Sequence, residues 1–306
     1  MNPKISFIIA AYNEELYLKE CIDSCLNQTY ENIEVCITDD GSTDSTINIL
    51  NLYKDDSRIN FYSFEKNKGK CSAYNKSYEI ATGEYIAVIG ADDVNYLDRI
   101  ERQYQHLTDT NSDLVFSNYD FYYNDSKALK AGEKLRKPNK DSILYDNTIS
   151  GGSILFNRTL SAKIFPIPED LKFEDWWVAF HTVYFFKFSL IDFPSFKYRI
   201  HEKNTVGNID DFLNNKRKNL MRHLRYHEYI NKILVSVVKI NKYIKINRFN
   251  LLYKKSILSD LFRERLVIFF NSFKFVTLST VKRYPIFILL TIFGFRMLAT
   301  IKKLLR

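Results

Sequence analysis

The sequence predicts an α/β fold: a mostly parallel sheet with helices on both faces. Three observations lead there. Within residues 1–118, short apolar runs alternate repeatedly with helical patterns, the rhythm of strand–helix units. Residues 85–89 form an apolar run bounded by Gly83 and Gly90, which reads as a strand buried on both faces. That run stops at two adjacent carboxylates, Asp92 and Asp93, at the strand end where open α/β sheets collect ligands.

Each element has its own signal. Residues 4–10 combine β-branched and aromatic side chains and make the first strand. Residues 14–26 follow as a helix, with Leu18, Ile22, Cys25 and Leu26 on its apolar face. Glu14 and Glu15 fall in its first turn, where the helix dipole favours acids. Residues 34–38 are a second strand, ending in DDGSTDS, a loop of turn formers and N-cap candidates before a helix at 46–53. A third strand at 60–64, a turn at 67–70 and a helix at 72–81 precede the strand and acid pair. Residues 97–107 make a helix and 113–117 a strand. Beyond Asn118 the alternation fades, and 121–147 is polar and tyrosine-rich. FEDWW at 173–177 opens an apolar helix running to about 186.

The chain has 306 residues, 46% hydrophobic and 15% aromatic, ample for one large domain or two small ones. Cys21, Cys25, Cys36 and Cys71 show neither a disulfide framework nor a paired zinc spacing; they read as small apolar filler in a reduced, cytosolic compartment. The N-terminal apolar run is short and followed by acids, so no signal peptide is expected. The net charge of +8 hides a division. Residues 211–306 hold 21 Lys and Arg against 4 Asp and Glu, a net +17, while residues 1–210 carry −9. A catalytic body with a separate basic, mainly helical region is expected, the latter meeting something anionic.

Adjacent acids repel, so Asp92 and Asp93 call for a cation or sugar hydroxyls. Hard oxygen ligands suit Mn²⁺ or Mg²⁺, with phosphate completing the shell; the plainer alternative is a helix cap. The order AYNEE after the first strand, DDGSTD after the second, then NKGKCSAYN and ATGEYIAVIGADD resembles glycosyltransferase family 2, the inverting enzymes of the Rossmann-like GT-A fold. The resemblance covers residues 4–207. YRIHEKNTVG at 198–207 resembles the end of the catalytic body in members that build bacterial surface polysaccharides such as O-antigen or capsule.

The resemblance implies a nucleotide-sugar half, 1–118, and an acceptor half, 119–210. Ala11, Tyr12, Asn13 and Glu14 would surround the base, and Asp39 would accept the uracil ring N–H. Asp40 would hold its loop, with Ser42 or Thr43 capping the next helix. Asn67 and Gly69 would lie where the backbone approaches the nucleotide, and Lys70 either near the base or phosphates or simply exposed to solvent. Asp92 is implied at the ribose and Asp93 at the metal. The fuller motif has a further acid where this chain has Gly90, which argues against a two-carboxylate clamp on the ion. Gly151 and Gly152 would admit the acceptor sugar, and 121–147 would lie beside it. Asp175 is the candidate base that takes the acceptor hydroxyl's proton. Glu174 would orient Asp175 or bind the acceptor, unless both acids merely suit the helix dipole. Trp176 and Trp177 either stack on sugars or pack in the core. Arg199 could clamp phosphate with its planar fork, and His201, on the same side of a strand-like run, could ligate the metal or touch phosphate. His106, His181, His223 and His227 read as structural.

The expected activity is transfer of a sugar from a UDP-sugar to an undecaprenyl-diphosphate-linked or other glycan acceptor. The enzyme would sit on the inner face of the cytoplasmic membrane. The apolar run at 284–295 is too short to span a bilayer, which takes ~20 residues, so an interfacial basic helix is expected; packing on protein is the alternative. Nucleic acid is not expected. A nucleotidyltransferase would carry a glycine-rich phosphate loop where this chain has AAYNEE, and a non-catalytic binding module would leave the acids unexplained.

Overall fold

Strands β1 (Ile5–Ala11), β2 (Ile33–Asp39), β3 (Ile59–Ser63) and β4 (Tyr85–Val88) lie parallel, as the apolar runs predict. They belong to a computed structural model that describes residues 2–123, 128–132, 134–171, 173–201, 216–238 and 241–258. β5 (Val94–Asn95), β6 (Leu114–Tyr123), β7 (Ala128–Ala131), β8 (Ile154–Asn157) and β9 (Phe188–Ile200) complete a sheet ordered β3-β2-β1-β4-β8-β6-β9-β5, with β7 beside β6. This second half is mixed. β8 runs antiparallel to both β4 and β6, β5 is antiparallel to β9, and β6 is parallel to β9.

Helices α1 (Leu18–Leu26), α2 (Thr46–Asn51), α3 (Lys70–Ile80), α4 (Arg99–Asp109), α5 (Arg158–Ile164) and α6 (Glu174–Phe185) cover the sheet. Phe7, Ile9, Val35, Ile37, Ala87 and Ile89 pack against Leu18, Ile22, Cys25, Ile100 and Leu107 in one buried cluster. Each large side chain so buried stabilises by about 1.5–3 kcal/mol. All four cysteines are buried and unbridged.

Helix α1 starts later than its acids suggest. The Glu14 N–H donates to Thr46 Oγ1 (2.8 Å), and the Glu15 carboxylate accepts from the Ser45 N–H (2.9 Å). These residues fasten the loop after β2 to the loop after β1, while the Glu14 carbonyl accepts the Leu18 N–H (3.0 Å) ahead of the helix.

The chain divides into two compact units: residues 1–139 with 147–209, and residues 140–146 with 210–306. In the second, helices α7 (Lys216–Ile233) and α8 (Asn241–Leu258) bury Tyr226, Ile230, Ile246 and Phe249, with Leu234 buried just after α7. His227 Nδ1 lies 2.7 Å from Asn247 Oδ1, and Asn247 Nδ2 donates to the His227 carbonyl (2.9 Å), so this histidine is structural. Asn250 Nδ2 donates to the Leu144 carbonyl (2.8 Å), which ties the 140–146 segment in. Among the described residues no helix is long and apolar enough to cross a membrane. The 284–295 run and residues 202–207 lie outside them.

Candidate active site

Side by side, the ends of β1 and β2 build the first wall. Ala11 pairs with Asp39, and Asp39 is buried. Its Oδ1 accepts from the Ser42 N–H (3.1 Å) and hydroxyl, and its Oδ2 from the Ser63 hydroxyl (2.6 Å). Asn13, at φ 58°, joins the loops: its N–H donates to Ser42 Oγ (2.9 Å) and its Oδ1 accepts from the Thr43 N–H (2.8 Å). Ser42 and Thr43 are thus spent on Asn13 and Asp39. Asp44 serves the helix start instead, accepting the Thr46 N–H at 3.0 Å. Tyr12 is 45% exposed beside them. Asp40 does hold a loop, and a distant one: its carboxylate accepts the N–H groups of Lys68 (2.7 Å) and Gly69 (2.9 Å). Gly69, at φ 98°, makes the turn that starts α3 at Lys70, while Asn67 is exposed just before it.

The acid pair follows β4 in a turn closed by the Asp93 N–H on the Gly90 carbonyl (3.2 Å). A Cβ on Gly90 would lie 2.7 Å from Asp93 Oδ2 and 2.8 Å from Asp92 Oδ1. Both carboxylates therefore converge over one bare Cα. A third acid at this position would collide with the pair, so the glycine permits the convergence. Burial, then repulsion from Asp92, raises the Asp93 pKa well above the usual carboxylate range, against the pull of the Arg199 N–H and of Lys70.

Residues at the end of β9 hold this pair from one side. The Arg199 N–H donates to Asp93 Oδ1 (3.0 Å), its Nε donates to the Asp92 carbonyl (2.7 Å), and its Nη2 meets Glu20 Oε2 at 2.5 Å. The guanidinium lies 4.8 Å from the Tyr17 and Tyr122 ring centres and is 2% exposed. Its fork grips the acid loop and α1. His201 Nε2 lies 3.1 Å from Asp92 Oδ2, with its ring against Tyr17.

Arg99, which carries no motif, ties β4, the strand ahead of the pair, to β8. It is fully buried, yet its partners are Gln103 Oε1 (3.2 Å), Asn95 Oδ1 (2.6 Å) and the carbonyls of Val88 (2.9 Å) and Ile154 (3.2 Å). Burial lowers its pKa to about 10, so it stays charged at neutral pH. Gln103 Nε2 adds a bond to the Ser153 carbonyl (2.7 Å). The available signal was spacing: Arg99, Gln103 and Leu107 recur every four residues on the buried face of α4.

Gly151 and Gly152 occupy a 3₁₀ turn, Gly151–Ser153, just ahead of β8. A Cβ on Gly152 would lie 3.0 Å from Phe196 Cζ and 3.5 Å from Asp93 Oδ2, and one on Gly151 would lie 3.3 Å from Asp175 Cβ. The turn thus joins the acid pair to the start of α6. There, burial and then the neighbouring Glu174 push the Asp175 pKa up to about 6, opposed by Lys70, the Trp176 N–H (2.7 Å) and Asn147. Glu174 Oε1 meets Lys70 Nζ at 2.5 Å. Trp176 and Trp177, named above as stacking candidates, are 4% and 8% exposed and pack in the core, with Trp177 Nε1 donating to the Ile164 carbonyl (3.0 Å).

Among the described residues no three His, Cys, Asp or Glu side chains are arranged to hold a metal ion. Asp92 and Asp93 still suit one. They offer hard oxygens at one point, and a divalent cation would relieve their repulsion. Two carboxylates leave most of a shell to diphosphate and water.

A family model described as glycosyl transferase family 2 matches residues 6–166, more than half of the chain. The chain belongs to glycosyltransferase family 2. This family 2 enzyme is 34% identical over 175 residues to an uncharacterized glycosyltransferase of Haemophilus influenzae, covering 57% of this chain and 69% of that one. It is 37% identical over 123 residues to glycosyltransferase GlyG of Streptococcus pneumoniae, covering 40% and 41%. Two solved structures share the GT-A architecture. Staphylococcus aureus TarS 1–349, in complex with UDP-GlcNAc, superposes with a TM-score of 0.57 at 16% identity, covering 92% of this chain and 91% of that one. The mannosyltransferase PcManGT of Pyrobaculum calidifontis, in complex with GDP-Man and Mn²⁺, gives 0.58 at 18%, covering 94% and 86%.

Proposed function

We propose that this family 2 glycosyltransferase moves a sugar, with inversion, from a UDP-sugar to a lipid-linked glycan, such as one on undecaprenyl diphosphate, in surface polysaccharide (O-antigen or capsule) synthesis. One observation supports it most: Asp93 and Asp175 flank adjacent glycines, Gly152 and Gly151, whose Cα atoms are ~3.8 Å apart. An acid pair suited to a cation that bridges to the diphosphate, and a carboxylate suited to a base, thus lie against neighbouring residues of one turn. That is the requirement for direct displacement, with the acceptor hydroxyl opposite the leaving group.

In this reading Asp39 takes the uracil imide N–H, which cytosine lacks, while Tyr12, Asn13 and the Asn67–Gly69 turn enclose the base. Asp92 meets the ribose. Asp93, with Asp92 beside it, would hold Mn²⁺ or Mg²⁺, which when bound stabilises charge on the departing diphosphate. Arg199 and His201 fix the acid loop. Gly151 and Gly152 admit the acceptor, and Asp175 removes its hydroxyl proton. The basic region places the enzyme on the inner face of the membrane.

The test is UDP release from a panel of UDP-sugars with Mn²⁺ and an undecaprenyl-diphosphate-sugar acceptor. The anomeric configuration of the product is then read by NMR. Asp93→Ala should abolish transfer and weaken UDP-sugar binding. Retention of configuration, or full activity of the variant, would overturn the reading.

A further inference from the structure

Lys70 is a cation that the acid pair and the α6 acids share. It is the first residue of α3, and Glu174, which pairs with it at 2.5 Å, is the first of α6. The ammonium favours the ionised forms of both Asp175 and Asp93. Tyr74, one turn along α3 beneath the ammonium at 5.6 Å, faces Glu174, Asp92 and Asp93 as well. Lys70 therefore stands between the side proposed for the diphosphate and the proposed base. Its side chain is 58% exposed, on a flexible four-carbon stem, while Glu174 is 16% exposed and held at the helix end.

We propose that Lys70 couples donor binding to the base: the ammonium leaves Glu174 for the donor's diphosphate, and the Glu174–Asp175 pair, stripped of its cation, becomes the stronger proton acceptor. Lys70 is on this view a positioning residue that acts through Asp175. The inference rests on the donor and base assignments proposed above.

The groups facing Asp175 give the sign. They are Glu174 on its own helix, Lys70 on α3, and the neutral Asn147 and Trp176 N–H. Glu174 raises its proton affinity and Lys70 lowers it. Withdrawing Lys70 leaves the first effect unopposed, so proton affinity rises when donor binds. Below neutral pH a fraction of a proton then joins the carboxylate. Above it Asp175 stays ionised, and is the stronger base for the proton released as the acceptor oxygen bonds to the anomeric carbon.

The experiment titrates UDP-GlcNAc into the full-length chain with Mn²⁺ at pH 6.5. Calorimetry in two buffers of different ionisation enthalpy then gives the proton uptake; the diphosphate diester itself has no titrating proton near this pH. Wild type should take up a fraction of a proton per donor bound. Lys70→Met and Asp175→Asn should bind without uptake, and Lys70→Arg should restore it. In turnover, the acidic limb of the Lys70→Met kcat/KM profile should move up by roughly 1 unit or more, the size of a neighbouring charge's effect. Its kcat limb, which reports the donor-bound enzyme, should stay at the wild-type position. Binding without uptake in wild type, or equal uptake in Lys70→Met, would sink the coupling and leave the base assignment standing. Absence of donor binding in wild type, or full turnover in Asp175→Asn, would sink the assignments and the coupling with them.

Discussion

Asp175 is a carboxylate whose surroundings work against its charge. Its pKa of about 6 lies above an ordinary aspartate's, so the folded chain binds a proton there that the unfolded chain has already lost. Folding stability from this group therefore falls as pH rises between about 4 and 6, and the full cost, about 3 kcal/mol, is present at pH 7. Asp175→Asn should remove that cost and the base together. The expected result is a higher melting temperature at pH 7.5 than wild type, a smaller gain at pH 4, and turnover lower by ~10²–10⁴-fold with donor affinity nearly intact. A variant that loses stability at pH 7.5 would show that the carboxylate is needed for packing. The wild-type rate should decline as pH falls through the Asp175 pKa in the donor complex. Asp175 could be named from the sequence because ED at a helix start is a local pattern. Its elevated pKa could not, because burial is its main cause and Lys70, more than a hundred positions away, limits the rise.

At the scale of elements, the parallel half of the sheet was legible because strands buried on both faces leave long apolar runs. The second half was not. The apolar pattern of β6 ends at Ser117, yet the strand continues to Tyr123 through half-exposed Asn118, Tyr119 and Asp120, whose bonding partners come from β9 and β7. No local pattern encodes such pairing. Arg99 escaped for a related reason: charged residues are rarely fully buried, and this one is accepted because carbonyls from β4 and β8 converge on it. It therefore sets how the acid loop and the two-glycine turn lie against each other. Arg99→Met should cost about 2–6 kcal/mol in urea unfolding, because the Val88 and Ile154 carbonyls each lose a buried donor, at ~1–3 kcal/mol apiece. Arg99→Lys should recover little, because an ammonium cannot reproduce the planar fork. Gln103→Met should cost less, about 1–3 kcal/mol, by taking from the Ser153 carbonyl the shorter of its two buried donors. If Arg99→Lys unfolds with wild-type stability, the fork geometry is not what joins the two loops.

For the whole molecule, the charge division was plain in composition, but the reach of the basic region was not. Residues 140–146, placed by the sequence in the body, group with the helices of the second unit through Lys242 on Asp141 (2.7 Å) and Asn250 on Leu144. Sequence distance hid that link, as it hid the β6–β9 pairing. The proposed role of this unit, holding the enzyme at an anionic membrane face, rests on its exposed cations, among them Arg225, Lys232, Lys245 and Arg248 on α7 and α8. A basic residue near an anionic surface contributes ~1 kcal/mol, so replacing all four by Gln should weaken partition onto anionic vesicles by roughly a thousandfold. The loss should be largest at low ionic strength, because salt screens the same attraction. Transfer to a short soluble acceptor should persist in the variant, while transfer to a vesicle-embedded lipid acceptor should fall with the binding. Sedimentation with vesicles of mixed anionic and neutral lipid, across a salt series, measures this directly. Wild-type binding that is indifferent to salt and to the four replacements would assign these cations to a protein partner and remove the membrane from the proposal.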